Sequence, residues 1–265
     1  MTLRDLLRTL ALRNKLFLNK TADISDVAQF VSKNRVVSVG HELIRVGSDG
    51  DGGYLLPDVL DGIEKCFSPG VDVSSDFEDE LAERFGMKCY LADYSVDGPA
   101  SQNAAFHFDK KYLGIRNDDQ FIRLEDWVDK YAGKDTSDLL LQMDIEGAEF
   151  AVLLDTPQST LKRFRMMAIE FHSMETAFEI GAFPMINAVF DKLAEHFTIA
   201  HIHTNNYQRI WKREDVEIPS VLEITFLRND FVKRDGKALT FPHPLDQLNE
   251  VERPPRHLPK CWWPN

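Results

Sequence analysis

The residues equipped to do chemistry fall at the ends of three apolar runs. The first, Asp138 to Phe150, reads DLLLQMDIEGAEF, and its apolar part stops at Asp144, with Glu146 and Glu149 close behind. The second, MMAIEFH, ends in Glu170 and His172, and the third, TIAHIHTNNY, carries His201 and His203. Side chains alternate across a strand, so Glu170 and His172 point the same way, as do His201 and His203. An imidazole titrating near neutrality can take a proton from a substrate. Carboxylates and an imidazole that converge can instead hold Mg²⁺ or Mn²⁺ while leaving positions open. The catalytic candidates are therefore His172, Asp144 and Glu146, and the metal candidates are Asp144, Glu170 and His172. If no ion binds, His172 is the base. Glu149 has a competing structural reading, since an acid there favours a helix start. Glu223, in the last apolar run VLEITFL, stands with it.

These residues need strands to position them. Leu139, Leu140, Leu141 and Met143 are too apolar for a half-exposed strand and too few for a helix, which predicts a central strand of a parallel sheet. Ligands in open α/β sheets bind just beyond the carboxyl ends of the strands, where Asp144 falls. Upstream, Ile63 to Phe67 is predicted as the first core strand, ending in the turn Ser68-Pro69-Gly70. SSDFEDELAERFG then reads as a helix, with Ser74 or Ser75 to cap it and Gly86 to stop it. MKCYLAD is a second strand ending at Asp93, 23 residues after Gly70, with Tyr94 and Ser95 following. In nucleotide-cofactor folds the first turn lets backbone approach the cofactor, and an acid about 20 residues later accepts hydrogen bonds from the ribose.

The cofactor candidates are accordingly Ser68, Pro69, Gly70, Asp93 and Tyr94, with the opposite wall expected from the loop after the third strand. A valine at position 70 is expected to block the cofactor and leave the fold intact. The turn is sparse in glycine, since Val71 and Asp72 follow. That suits a pyrophosphate poorly and S-adenosylmethionine, which has no phosphate, better.

The remaining segments alternate. Gly98 to Ala105 is predicted helical, Phe106 to Ile115 a third strand with its turn, and FIRLEDWVDKYAG a capped helix before the central strand. Gly147 to Leu154 and Phe183 to Phe197 are helices, the latter amphipathic through Ile186, Val189, Phe190 and Leu193. MMAIEFH, TIAHIH and VLEITFL complete the sheet. The last lacks a crossover and must pair antiparallel. VGSDGDGGYLLPD supplies the glycines of a hairpin turn. The pattern specifies an α/β fold with a doubly wound, mostly parallel, seven-stranded Rossmann-like sheet. Residues 1–45 form an N-terminal helical extension, 46–240 the α/β domain, and 241–265 a proline-rich tail packed on it through Trp262 and Trp263.

With 265 residues, 43% hydrophobic and 28% charged, the chain can bury a sizeable core. A net charge of −12 argues against nucleic acid as a partner. No apolar stretch reaches the roughly 18 residues of a membrane span. Three cysteines, Cys66, Cys89 and Cys261, form no even framework, which points to free thiols in a reducing, cytoplasmic compartment. The N-terminus places Arg4, Arg8, Arg13, Lys15 and Lys20 against Leu3, Leu6, Leu7 and Leu10 at helical spacing. Charges interrupt any signal-peptide core. A helix packed on the domain or on a second copy, making a homo-oligomer, is expected, with a membrane-surface or targeting role as the alternative.

The DIEGAE stretch, together with the upstream glycine loop, the CFSPG turn and the IEFH strand, resembles the FkbM-type S-adenosylmethionine-dependent methyltransferases from about Val46 to about Leu227. FIRLEDW is similar to the segment that precedes this strand in the family. The resemblance implies a class I methyltransferase fold, S-adenosylmethionine as cofactor, and O-methyl transfer to a hydroxyl of a sugar or another polyhydroxylated small metabolite. It marks Asp144, Glu146, Gly147 and Glu149 as motif positions without assigning their roles. A nicotinamide-dependent oxidoreductase shares the strand-turn-helix-acid unit but needs a catalytic Tyr/Lys pair that is not evident. A non-catalytic binding protein on the same fold is the other alternative, and the sparse glycine turn is its support.

Overall fold

The structure is a computed structural model that describes residues 3–14, 19–71, 74–133 and 135–264; Lys15 and Asp72 lie outside the described residues. Two helices, α1 (Leu3–Arg13) and α2 (Ile24–Lys33), precede a hairpin of β1 (Leu43–Val46) and β2 (Tyr54–Pro57). Then come β3 (Lys65–Pro69), α3 (Asp76–Phe85), β4 (Lys88–Ala92), β5 (Phe106–Asp109), β6 (Tyr112–Gly114), β7 (Phe121–Arg123) and α4 (Leu124–Ala132). The second half runs β8 (Leu139–Met143), α5 (Glu149–Asp155), α6 (Gln158–Leu161), β9 (Phe164–Phe171), α7 (Phe183–Ala194), β10 (Phe197–Thr204), β11 (Ile210–Arg213), β12 (Val216–Pro219) and β13 (Leu222–Arg228).

Seven strands form the central sheet in the order β10-β13-β9-β8-β3-β4-β5. β8 pairs parallel with β3 and β9, β4 pairs parallel with β3 and β5, and β13 lies antiparallel between β9 and β10. The chain thus winds outward from β3 in one direction and from β8 in the other, so the switch point opens between Gly70 and Asp144. The apolar run of β8 is divided between two cores. Leu139, Leu141 and Met143 face α4, α5 and α7, while Leu140 faces α3 and the β1–β2 hairpin. All five β8 residues are buried, as a strand covered on both faces requires.

Several local expectations are corrected. Residues 98–105 form bends and turns rather than a helix. The Ser75 hydroxyl accepts the Ala100 N–H, and Asn103 bonds Asp79 and the Ala105 N–H. These side-chain bonds satisfy backbone groups that a helix would have paired internally. The stretch from Phe106 to Ile115 is two strands, and β6 leaves the main sheet to pair with β7. Helix α4 has no side-chain cap, because the chain enters it directly from β7.

The N-terminal region divides in two. Helix α2 belongs to the core, with Phe30 edge-on to Phe183, Phe190 and Trp262. The boundary drawn between residues 45 and 46 falls inside β1. Helix α1, expected to pack on the domain or on a second copy, leaves Leu6, Leu7 and Leu10 exposed within this chain. In the tail, Trp262 is fully buried and donates to the Glu217 carbonyl. Cys66 and Cys89 are buried free thiols. No helix among the described residues is long and apolar enough to cross a membrane.

Candidate active site

Parallel strands end at the same level, so the residues following β3, β4, β8 and β9 share one rim. A cavity of about 560 Å³ opens there, within the range of small-ligand sites. Gly70, Val71, Asp93 and Ser95 line one side; Asp144, Glu146, Glu170 and His172 line the other. Asn205, Tyr207, Asn249 and Glu250 complete the wall, in place of the loop after the third strand.

The turn after β8 is built around Glu149. This carboxylate has no exposed surface, and its Oε1 accepts the N–H groups of Gly147 at 3.0 Å and Ile145 at 3.3 Å. Glu146 and Gly147 both adopt positive φ to make the turn. The same Oε1 lies 3.1 Å from Nδ1 of His172 at the end of β9. A donated Nδ1–H fixes the imidazole and turns Nε2 toward Glu146 at 3.5 Å and toward Asp144 and Glu170 at 3.8 Å each. The helix-start reading of Glu149 is incomplete, since its oxygen also orients the histidine.

Electrostatics follow from crowding. Burial raises the Asp144 carboxyl to about 7, against the pull of His172 and with the push of Glu146 and Glu149. Burial, then Glu223 and Asp144, push Glu170 well above its ordinary range. For His172 burial acts downward, but the bond to Glu149 and the surrounding carboxylates outweigh it, so the imidazole sits above its usual value. The Asp144 Oδ1 is buried without a hydrogen-bond partner among the described residues. One ligand atom each from Asp144, Glu146 and His172 lies within 4.8 Å of the others, and Asp51, Glu170 and Glu223 form a second such group. Two carboxylates, an imidazole and an orphaned buried oxygen fit a hard divalent cation, whose charge would relieve the repulsion.

On the other side, Asp93 accepts the Val71 N–H at 3.2 Å and both the N–H and hydroxyl of Ser95 at 2.6 Å. The carboxylate is thereby held at the end of β4 with accepting capacity to spare. Its negative charge, with Asp144 opposite, suits a cofactor carrying a sulfonium and an ammonium group. Gly70 has φ +91°, and a Cβ there would sit 1.5 Å from the Asp144 carbonyl oxygen. This glycine is required by the approach of β3 to β8, whatever binds beside it. The expectation that valine would leave the fold intact is therefore corrected.

The other candidates are distributed differently. Ser68 lies beneath the floor, buried and hydrogen-bonded to Glu78 and, at 2.5 Å, to Gln142. Pro69 is the buried last residue of β3, and Tyr94 is half-buried against the Tyr112 ring. His201 and His203 bond Asp246 at 2.9 and 3.4 Å behind the cavity. Three contributors were not anticipated. Asp51 comes from the glycine loop, Asn205 holds Glu170 at 3.0 Å, and Asn249 donates to Asp51 at 2.8 Å and Glu223 at 2.5 Å. Asp51 stood in a glycine loop to which no chemistry was assigned, and Asn249 sits in a tail whose return to the sheet no local pattern announces.

Residues 78–203 match the family model described as the methyltransferase FkbM domain, the family that the DIEGAE stretch resembles. The match spans Asp93, Asp144, Glu146, Glu149, Glu170 and His172, whereas Gly70 and Glu223 lie outside it. Among solved structures, the fold is similar to that of the crystal structure of a fibrillarin/Nop5p complex. The identity is 13%, the alignment covers 64% of this chain and 74% of that one, and the TM-score is 0.38. That likeness is too distant to bear on function. No curated protein sequence matches the chain.

Proposed function

We propose that the protein is an S-adenosylmethionine-dependent O-methyltransferase acting on a hydroxyl of a sugar or another polyhydroxylated small metabolite. The observation that carries this reading is the single cavity with Gly70 and Asp93 on one wall and the Asp144, Glu146, Glu170 and His172 cluster on the other. The methyltransferase match favours it over nicotinamide chemistry.

When bound, S-adenosylmethionine supplies an electrophilic methyl group. Asp93 would accept hydrogen bonds from the ribose hydroxyls, and the backbone at Gly70 and Val71 would support the cofactor beside it. Asp144, Glu146 and His172 would hold Mg²⁺ or Mn²⁺, whose charge lowers the pKa of a nearby hydroxyl, with Glu170 as an alternative donor. Without an ion, Nε2 of His172 takes the acceptor's proton, and Glu149 stabilises the imidazolium through Nδ1–H. Asn205, whose amide keeps a second N–H beyond its bond to Glu170, and Glu250 offer hydrogen-bonding edges to a polyol. The test is transfer of labelled methyl from S-adenosylmethionine to a panel of sugars and polyols. Saturable labelling of a hydroxyl supports the reading; absence of transfer across the panel, with or without Mg²⁺, counts against it.

A further inference from the structure

A second cavity of about 140 Å³ lies behind the tail segment, between β10 and residues 241–258. That equals roughly five waters' share of liquid, room for a small ion or acid and far too little for a nucleotide. His203, Thr204, Asp246, Arg256, His257 and Leu258 are among its walls. Two of these polar groups have nothing to bond. Thr204 is 2% exposed, and its Oγ1 has no partner among the described residues. The Arg256 Nε is likewise buried and unpartnered, and its guanidinium makes no ion pair among the described residues. Buried donors left unmade cost about 1–3 kcal/mol each, so two in one cavity call for an explanation.

Asp246 cannot supply it. Its Oδ1 already takes His201 at 2.9 Å and His203 at 3.4 Å, and its Oδ2 takes the His243 N–H at 2.8 Å. For the same reason the His201, His203 and Asp246 triad is satisfied by its own hydrogen bonds and has no need of a metal. What the cavity lacks is an acceptor. We propose that this cavity binds a small oxyanion, a carboxylate or phosphate group, held by the Arg256 guanidinium and the Thr204 hydroxyl with His203 beside it. Guanidinium forks match both groups in geometry and charge. Burial acts downward on His203, but Glu223 and the bond to Asp246 outweigh it and bring it to about 9, so it is cationic at neutral pH. His203 also bonds Asn249 at 3.1 Å, which connects this site to the wall of the larger cavity. The inference is independent of the methyl-transfer reading.

The test is calorimetric titration of the whole protein at constant ionic strength with inorganic phosphate and, separately, with acetate. Saturable binding of one probe is expected, and the probe that saturates identifies the group. Arg256→Gln should weaken it at least about tenfold, the scale of a lost hydrogen bond between charged groups, and Thr204→Val about three- to tenfold, the scale of an ordinary one. If Arg256→Gln fails to fold, Thr204→Val, which changes a hydroxyl to a methyl, decides alone. No saturable binding of either probe, or unchanged affinity in the folded variants, overturns the proposal.

Discussion

Nδ1 of His172 lies 3.1 Å from Oε1 of Glu149, a carboxylate with no exposed surface that also accepts two N–H groups of the turn after β8. One buried oxygen therefore sets both the backbone that presents Asp144 and Glu146 and the orientation of the only histidine that lines the main cavity among the described residues. Glu149→Gln keeps the shape and removes the charge. Turnover should fall about 10–100-fold, the usual effect of losing a carboxylate that orients a histidine at a metal or reaction centre. An NMR titration of His172 should move to lower pH in the same variant. Unchanged turnover and an unchanged titration would reduce Glu149 to a turn-former.

The cluster of Asp144, Glu146 and His172 makes opposite predictions for metal-assisted and base-only chemistry. With a metal, EDTA should abolish turnover, Mg²⁺ should restore it, and Asp144→Asn should be worse than His172→Ala. A base-only enzyme should ignore EDTA and lose roughly 10²–10⁴-fold on His172→Ala.

Gly70 should tolerate no side chain. Gly70→Ala puts a Cβ against the Asp144 carbonyl in a positive-φ conformation, and about 2–4 kcal/mol of stability should be lost. Chemical denaturation measures this directly. An alanine variant as stable as the parent would mean that β3 and β8 can separate without cost.

The ion pair behind the cavity should shape the pH dependence of stability. His203 is raised to about 9, so its contribution is complete below the ordinary histidine range and disappears as pH rises through about 9. Asp246 is driven low; although burial opposes this, its bonds to His201 and His203 prevail. Its contribution is present above the ordinary carboxylate range and declines as pH falls below it. Melting temperature should therefore hold a plateau between these limits. His203→Gln should remove the alkaline decline, and a decline that persists unchanged would show that another group causes it.

Much of this was legible in local sequence. The run from Leu139 to Met143 could only be a buried strand, the antiparallel last strand followed from a missing crossover, and the spacing of Gly70 and Asp93 placed an acid at the rim. Where the sequence misled, longer-range bonding decided. Residues 98–105 looked helical until Ser75 and Asn103 captured their backbone groups. Gly70 looked like a cofactor glycine, yet its necessity comes from a carbonyl 74 residues away, at Asp144. Asn249 was invisible because its partners, Asp51 and Glu223, lie far off in sequence, and nothing in the tail's composition reveals where it docks.

Whether the Gly70 and Asp93 wall receives S-adenosylmethionine is measured most directly by calorimetric titration with S-adenosylhomocysteine and with NAD. Saturable binding of S-adenosylhomocysteine alone is expected. Asp93→Ala should weaken it by roughly 1.5–3 kcal/mol, the scale of charge-assisted hydrogen bonds to a carboxylate. Binding of NAD in its place, or S-adenosylhomocysteine affinity unchanged in a folded Asp93→Ala protein, would contradict the account.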